Sequence, residues 1–75
     1  MSVHLPVVKA KDLLRYLCNR RGFVIERIRG SHHQLRHPLT GQRVTIPVHH
    51  EEIKRGTLRE IMASLGLSRE DLQDV

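Results

Sequence analysis

The chain has 75 residues, of which 39% are hydrophobic, and its 13 Lys and Arg against eight Asp and Glu give a net charge of +5. This length fits one domain, residues 1–75, and the hydrophobic fraction excludes an intrinsically disordered chain. A bilayer span needs roughly 20 consecutive apolar residues, which the chain lacks, and the N-terminus has no signal-peptide pattern. Cys18 is the single cysteine, so an internal disulfide is excluded and a reduced, cytoplasmic setting is expected.

The basic residues are concentrated in the first two thirds of the chain. Residues 1–50 carry nine basic and two acidic side chains, whereas residues 51–75 carry four basic and six acidic ones. The stretch 27–43 contains no acid, and such a one-sided cationic patch is typical of proteins that bind nucleic acid. Charge alone does not separate this function from a solvated basic surface. The basic residues of the stretch are Arg27, Arg29, Arg36 and Arg43, accompanied by His32, His33 and His37.

An amphipathic helix is the first predicted element, and Gly22 is a typical helix stop after it. Its apolar residues recur at the spacing of a single helix face: Ala10, Leu13, Leu14, Leu17 and Cys18. Three strands are predicted next, over residues 23–28, 32–37 and 42–48, separated by turn-forming Gly, Ser and Pro residues. Pro47 cannot donate a hydrogen bond to a neighbouring strand, so we expect it at a sheet edge or a strand end.

A second amphipathic helix follows the strands. Thr57-Leu58-Arg59-Glu60 has the spacing of a capping box, which predicts that the helix begins there. Its apolar stripe ends before Gly66 and consists of Leu58, Ile61, Met62 and Leu65. Ser68 begins a last short helical turn that contributes Leu72 to the core. Because both helices carry an apolar stripe, we predict a two-layer α+β sandwich, with the helices on one face of a three-stranded antiparallel sheet.

Strand alternation divides the histidines of the second strand between the two faces of the sheet. Leu35 is the large aliphatic residue of this strand, so its side chain should face the helices. His33 and His37 then lie on the helix side, and His32 lies on the open face. The other side chains expected on the open face are Gln34, Arg36, Arg43 and Thr45.

The position of His32 suggests RNA chemistry. It directly follows Gly30-Ser31, whose backbone N–H groups could approach a phosphate. Because histidine titrates near neutrality, His32 could accept the proton of a 2′-hydroxyl or protonate the leaving 5′-oxygen during RNA cleavage. Arg36 or Arg43 could stabilise the charge that develops on the phosphate. The second proton-transfer group is not assigned, because His33 points to the opposite face.

Two functions without catalysis stay open, since a lone histidine on a basic surface is usually not catalytic. One is a non-catalytic RNA-binding module, and the other is a passive interaction subunit whose basic face meets an acidic partner. RNA binding predicts an affinity that falls steeply with salt, and passive interaction does not. Tyr16 and Phe23 are the only aromatic residues and are expected in the core, which favours phosphate and 2′-hydroxyl contacts over base stacking.

Other chemistries are disfavoured by spacing. His32-His33 and His49-His50 could suggest a metal site, but adjacent strand residues diverge and neither pair has helical i, i+4 spacing. Ser31 and Cys18 lack a recognisable general base for nucleophilic catalysis. We therefore expect no metal and no other cofactor.

An ordered set of short motifs extends over residues 6–72. The motifs are Gly22-Phe23, Gly30-Ser31-His32-His33, Arg36-His37-Pro38, Val44-Thr45-Ile46-Pro47-Val48-His49, Gly56-Thr57-Leu58 and Ile61. Each motif is unspecific by itself, but their order and spacing together are specific, and the set resembles the HicA toxin family. Gln34 departs from the pattern of this family, since relatives often carry an apolar residue there.

The resemblance implies a double-stranded-RNA-binding-like α-β-β-β-α fold and the activity of a type II toxin–antitoxin toxin. Such toxins are mRNA interferases, which arrest growth by cleaving transcripts and are neutralised by a HicB-type antitoxin. The resemblance also implies that His32, the histidine after Gly-Ser, is the catalytic residue. We therefore predict a metal-independent endoribonuclease, with the RNA-binding residues Arg27, Arg29, Ser31, Arg36 and Arg43. Cleavage specificity, ribosome dependence and oligomeric state are not predicted.

Overall fold

The computed structural model describes residues 5–75; residues 1–4 of the predicted domain lie outside them. Its elements are α1 (Ala10–Arg20), β1 (Val24–Arg29), β2 (His32–Arg36), β3 (Arg43–Pro47), α2 (Arg55–Leu65) and a 3₁₀ helix (Asp71–Asp74). This order confirms the predicted α+β sandwich of helices on a three-stranded antiparallel sheet. Within residues 5–75, no helix is long and apolar enough to cross a membrane.

The sheet has the order β1-β2-β3, so β2 is its central strand. The turn between β1 and β2 consists of Gly30-Ser31, and Gly30 adopts φ +59°, a left-handed conformation that favours glycine. The turn between β2 and β3 is closed by a 2.8 Å hydrogen bond from Gly41 N–H to the His37 carbonyl. Pro47 is the last residue of β3, which is an edge strand, as its missing N–H predicts.

The helices bury the part of the sheet formed by β2 and β3. Both helices contact β3, and the stripes predicted for them face the sheet. Fully burying one aliphatic side chain contributes about 1.5–3 kcal/mol, so the largest fully buried residues provide the main stabilising contact between the layers. These residues are Leu13 and Leu17 of α1, Leu35 of β2, Ile46 of β3 and Leu58 of α2.

Strand β1 projects beyond the helices, and all six of its residues are exposed. Ile25 pairs with Leu35, so its side chain lies on the helix side, yet it is 45% exposed because no helix covers this strand. Ile28, on the same side, is 56% exposed. The register shifts between Ile25 and Arg27, which makes Glu26 an extra residue in β1, that is, a β-bulge.

Helix α2 begins two residues before Thr57, so the predicted capping box is wrong. Leu58 N–H donates to the Lys54 carbonyl at 2.8 Å, and Lys54 is the N-cap residue, without a side-chain cap. The chain is already fixed just before this point, because Ile53 is buried and its N–H donates to the Val8 carbonyl at 2.9 Å. The helix therefore starts directly after this anchor.

Helix α2 ends at Gly66 as predicted, and Gly66 adopts φ +68°. A reciprocal side-chain cap is present after it, at the start of the 3₁₀ helix. Ser68 N–H donates to the Asp71 carboxylate at 2.8 Å, and Asp71 N–H donates to the Ser68 hydroxyl at 3.2 Å. The hydrogen bond from the Ser68 backbone, followed by that of its side chain, lowers the pKa of the Asp71 carboxyl.

We expect this cap to weaken in acid. Because the pKa of Asp71 is lower in the folded chain than its usual value of 3.8, the stabilisation is present above that value and is lost as pH falls through the lowered one. Urea unfolding of wild type and Asp71→Asn at about pH 6 and about pH 3 checks this, since only the wild-type side chain titrates. Equal losses of stability in acid for the two proteins would contradict it.

Candidate nucleic-acid interface

His32 is the first residue of β2, and its exposed side chain lies on the open face of the sheet. It pairs with Arg29 of β1 and with Pro47 of β3. Directly paired residues of antiparallel strands project to the same side, so these three side chains share the open face. The orientation of His32 follows from Leu35, which occupies the opposite, buried face three residues later.

His33 and His37 are partly buried on the helix side and make structural contacts. His33 Nδ1 lies 3.4 Å from the Ser31 carbonyl oxygen. The His37 ring packs edge-on against Phe23 at 5.2 Å, and its Nδ1 accepts the N–H groups of Leu39 and Thr40 at 3.2 and 3.3 Å. His37 therefore stabilises the turn between β2 and β3, whereas His32 is free to meet a ligand.

The four arginines of the basic stretch lie in two groups on the open face. Arg29 pairs with His32, and Arg27 lies in the same half of β1. Arg36 and Arg43 pair with each other at the other end of the hairpin. Arg36 is four residue steps along β2 from His32, or about 13 Å away at the usual rise of a strand. Only Arg27 and Arg29 are thus brought next to the histidine, together with the partly buried Ser31 of the turn.

Glu26 occupies the space between the other two arginines. Arg36 Nε donates to one of its carboxylate oxygens at 2.9 Å, and Arg43 Nε donates to the other at 3.1 Å. These contacts, led by the Arg43 hydrogen bond, lower the pKa of the Glu26 carboxyl. Residues 27–43 contain no acid of their own, but Glu26, the residue directly before them, places its carboxylate against two of their arginines. Among the described residues, Arg27 and Arg29 have no acidic partner within 4.0 Å.

A solvent-open cleft of about 400 Å³ adjoins His32. The first turn of α2 contributes Thr57, and the segment between β3 and α2 contributes polar side chains that sequence reasoning did not assign to this site. The residues of the cleft that carry chemistry are Ser31, His32, His49, His50, Glu52, Lys54 and Thr57.

The segment that carries His49 and His50 is anchored at both ends. Val48 N–H donates to the Ser31 carbonyl at 2.7 Å, and Glu51 accepts the N–H of Ala10 at 2.9 Å through its backbone carbonyl. Because β2 and β3 are antiparallel, residues just after β3 must lie beside residues just before β2. This topological signal was available in the sequence and would have placed His49 near His32.

The histidines of this region do not form a metal centre in the described part of the chain. Residues 5–75 contain no group of three or more His, Cys, Asp or Glu placed to hold a metal ion. His49 and His50 instead contact each other edge-on, with ring centroids 4.5 Å apart. Cys18 lies away from them in α1, and burial raises the pKa of its thiol, which disfavours the nucleophilic thiolate.

These features define a small basic α+β domain whose exposed histidine lies beside arginines and a histidine-lined cleft, an arrangement suited to a polyanionic ligand. The family model described as the HicA toxin of bacterial toxin–antitoxin matches residues 10–67, from the start of α1 to just beyond α2. The chain therefore belongs to the HicA toxin family, the toxins of toxin–antitoxin systems, which pair with antitoxins. A comparison with curated proteins finds no match.

Proposed function

We propose that this HicA-family chain is an mRNA interferase, a metal-independent endoribonuclease that cleaves transcripts and thereby inhibits translation and growth. One observation carries the proposal: His32 is exposed on the open face, beside Arg29 and at the mouth of a cleft that contains further proton carriers. Family membership supports the same assignment, because the histidine after Gly-Ser is the one that the HicA resemblance marks as catalytic.

In the proposed reaction the 2′-oxygen of a ribose attacks the adjacent phosphorus, and the 5′-oxygen leaves. His32 acts as the general base or the general acid, a role that contributes about 10²- to 10⁴-fold to a rate. The products are a 2′,3′-cyclic phosphate and a free 5′-hydroxyl. No step needs a metal ion, because the charge on the phosphate is met by cationic side chains.

The proposed RNA contacts follow the two arginine groups. Arg27 and Arg29 hold the phosphates next to the cleaved linkage, and N–H groups of the Ser31 turn approach from the same side. Arg36 and Arg43 lie about 13 Å away, which matches roughly two nucleotide steps of an extended strand, and they contact phosphates there in competition with Glu26. A HicB-type antitoxin would neutralise the toxin by covering this same face.

The experiment that tests the proposal is incubation of the purified chain with end-labelled RNA, with and without EDTA, followed by analysis of the new ends. We expect cleavage in EDTA and 2′,3′-cyclic phosphate ends. Intact RNA, bound with an affinity that falls steeply with salt, would assign the chain to non-catalytic RNA binding. Weak binding that is indifferent to salt would leave only a passive surface for an acidic partner.

We expect Glu26→Gln to strengthen RNA binding. The change removes the negative charge between Arg36 and Arg43 and releases both guanidinium groups for phosphate. For a single-stranded RNA, the slope of log affinity against log salt concentration should steepen by about 0.7 for each additional phosphate neutralised. Titration of a labelled oligonucleotide at several salt concentrations measures this slope.

Glu60→Gln is the matched control, because Glu60 is an exposed acid of α2, in the layer on the opposite side of the sheet. It removes the same charge without touching the two arginines. An equal gain in affinity in both variants would mean that only net charge matters, and an unchanged slope for Glu26→Gln would contradict a role for Arg36 and Arg43 in binding.

A further inference from the structure

We propose that the His49–His50 pair supplies the second proton-transfer group for RNA cleavage at His32. The inference rests on the proposed ribonuclease function and adds a residue assignment to it. Cleavage through a 2′-oxygen needs one group that accepts a proton and another that donates one. The other histidines of the hairpin do not meet this need, since His33 and His37 are engaged on the helix side.

The backbone brings the pair to the correct side of the sheet. Pro47 pairs with His32 and shares its face, and Val48 turns inward, where its side chain packs against the core. The next residue, His49, lies in the bend after β3 and lines the same cleft as His32. The 2.7 Å hydrogen bond from Val48 N–H to the Ser31 carbonyl holds this stretch against the turn that precedes His32.

The volume of the cleft is large enough for a small ligand beside the histidines. The cleft that His32 and the pair line together has a volume of about 400 Å³, within the range typical of small-ligand sites. Both rings of the pair are exposed, and their edge-on contact holds them next to each other. A phosphodiester in this cleft can therefore contact both His32 and an imidazole of the pair.

Cationic groups around the pair favour the negatively charged substrate. Lys54 lines the same cleft, with Glu52 as the acid beside it. Cations outnumber acids among the charged groups that surround the pair, so a phosphate is attracted to it. Together with His32, these groups are Glu52, Lys54 and Arg55 on the side of α2, and Lys9, Lys11, Asp12, Arg15 and Glu51 on the side of α1.

Two imidazoles account for both proton transfers of the cleavage step. A neutral histidine removes the 2′-hydroxyl proton while the 2′-oxygen forms its bond to phosphorus. The bond from phosphorus to the 5′-oxygen breaks, and that oxygen takes a proton from a protonated histidine. His32 fills one of these roles and the His49–His50 pair fills the other, and both regain their starting states by exchanging protons with water.

The test compares cleavage rates of wild type, His32→Ala and the double variant His49→Gln/His50→Gln from about pH 5 to about pH 9. The wild-type profile should be bell-shaped. The double variant should lose about 10²-fold at the optimum and one limb of the profile. Glu51→Gln is the control in the same segment, because its side chain faces Lys9 at 3.4 Å, and it should keep both limbs of the wild-type profile.

A second substrate separates proton donation from a structural effect. In RNA with sulfur in place of the bridging 5′-oxygen, the leaving thiolate needs no general acid. Whichever of the two variants lacks the acid should recover to within about tenfold of wild type on this substrate, and the other should stay slow. Rescue of neither variant, with circular dichroism showing both folded, would overturn the assignment.

The outcomes also distinguish this inference from the proposed function. If wild type cleaves RNA and the double variant keeps its rate and both limbs, the His49–His50 assignment fails while the ribonuclease function stands. If Glu52→Gln loses one limb of the pH–rate profile and the double variant keeps both limbs, the second proton-transfer group is the Glu52 carboxylate instead. If wild type cleaves no RNA, both the function and the assignment fail.

Discussion

Replacement of His32 by alanine should abolish growth arrest when the chain is expressed without an antitoxin. The side chain is exposed at the start of β2 and makes no contribution to the core, so the variant should fold normally. Loss of a general acid or base lowers the cleavage rate by about 10²- to 10⁴-fold. Growth after induction and the rate of RNA cleavage in vitro measure the effect, and the circular dichroism spectrum and melting temperature verify the fold.

The neighbouring histidine provides the matched control for this experiment. His33→Gln removes the same type of side chain one position further along β2, but on the helix side of the sheet. We expect this variant to stay toxic and to cleave RNA. Toxicity retained by a folded His32→Ala protein would refute catalysis by His32, and equal loss in both variants would point to disturbance of the strand instead.

Leu35→Ala should have the largest effect on stability. Leu35 is the fully buried residue of the middle strand and belongs to the core cluster that residues of both helices also form, and a substitution of this kind costs about 2–5 kcal/mol. A domain of this length has a total free energy of unfolding of roughly 4–11 kcal/mol. The variant should therefore be largely destabilised, which urea unfolding followed by circular dichroism will show as a large decrease in the midpoint.

Leu39→Ala is the control for this substitution. Leu39 lies in the turn between β2 and β3 and is 90% exposed, so the same change of side chain should alter the free energy of unfolding by no more than about 0.5 kcal/mol. Similar losses in the two variants would be incompatible with a core built on the buried side of β2.

The element order could be predicted from the sequence because the two helices and β3 have a clear hydrophobic period. The stripe from Ala10 to Leu17 and the alternation of Val44 and Ile46 each leave one arrangement that buries the apolar side chains. The start of α2 was not predictable in the same way. The Thr57 capping pattern is local, whereas the helix start is set by a hydrogen bond between Ile53 and Val8, which are far apart in sequence.

The orientation of His32 was predictable from one neighbour, since Leu35 decides which side of β2 is buried. Two other features of the site depend on tertiary structure. Glu26 contacts Arg36 and Arg43 from a bulge in β1, and the sequence pattern of the strand does not predict this irregularity. The exposure of β1 follows from helices that extend only over the other two strands, and a periodic pattern does not report how far a helix reaches across a sheet.

The uncovered strand β1 has a consequence for the behaviour of the chain in solution. As an edge strand it presents unpaired backbone N–H and C=O groups, and the exposed Ile25 and Ile28 add apolar surface beside them. A strand of a second molecule can pair with such an edge, and repeated pairing of this kind leads to aggregation. Arg27 and Arg29 oppose this, because two β1 strands aligned side by side would bring like charges together. The two arginines that we propose to bind RNA are thus also expected to limit self-association, and their replacement should reduce solubility along with RNA affinity.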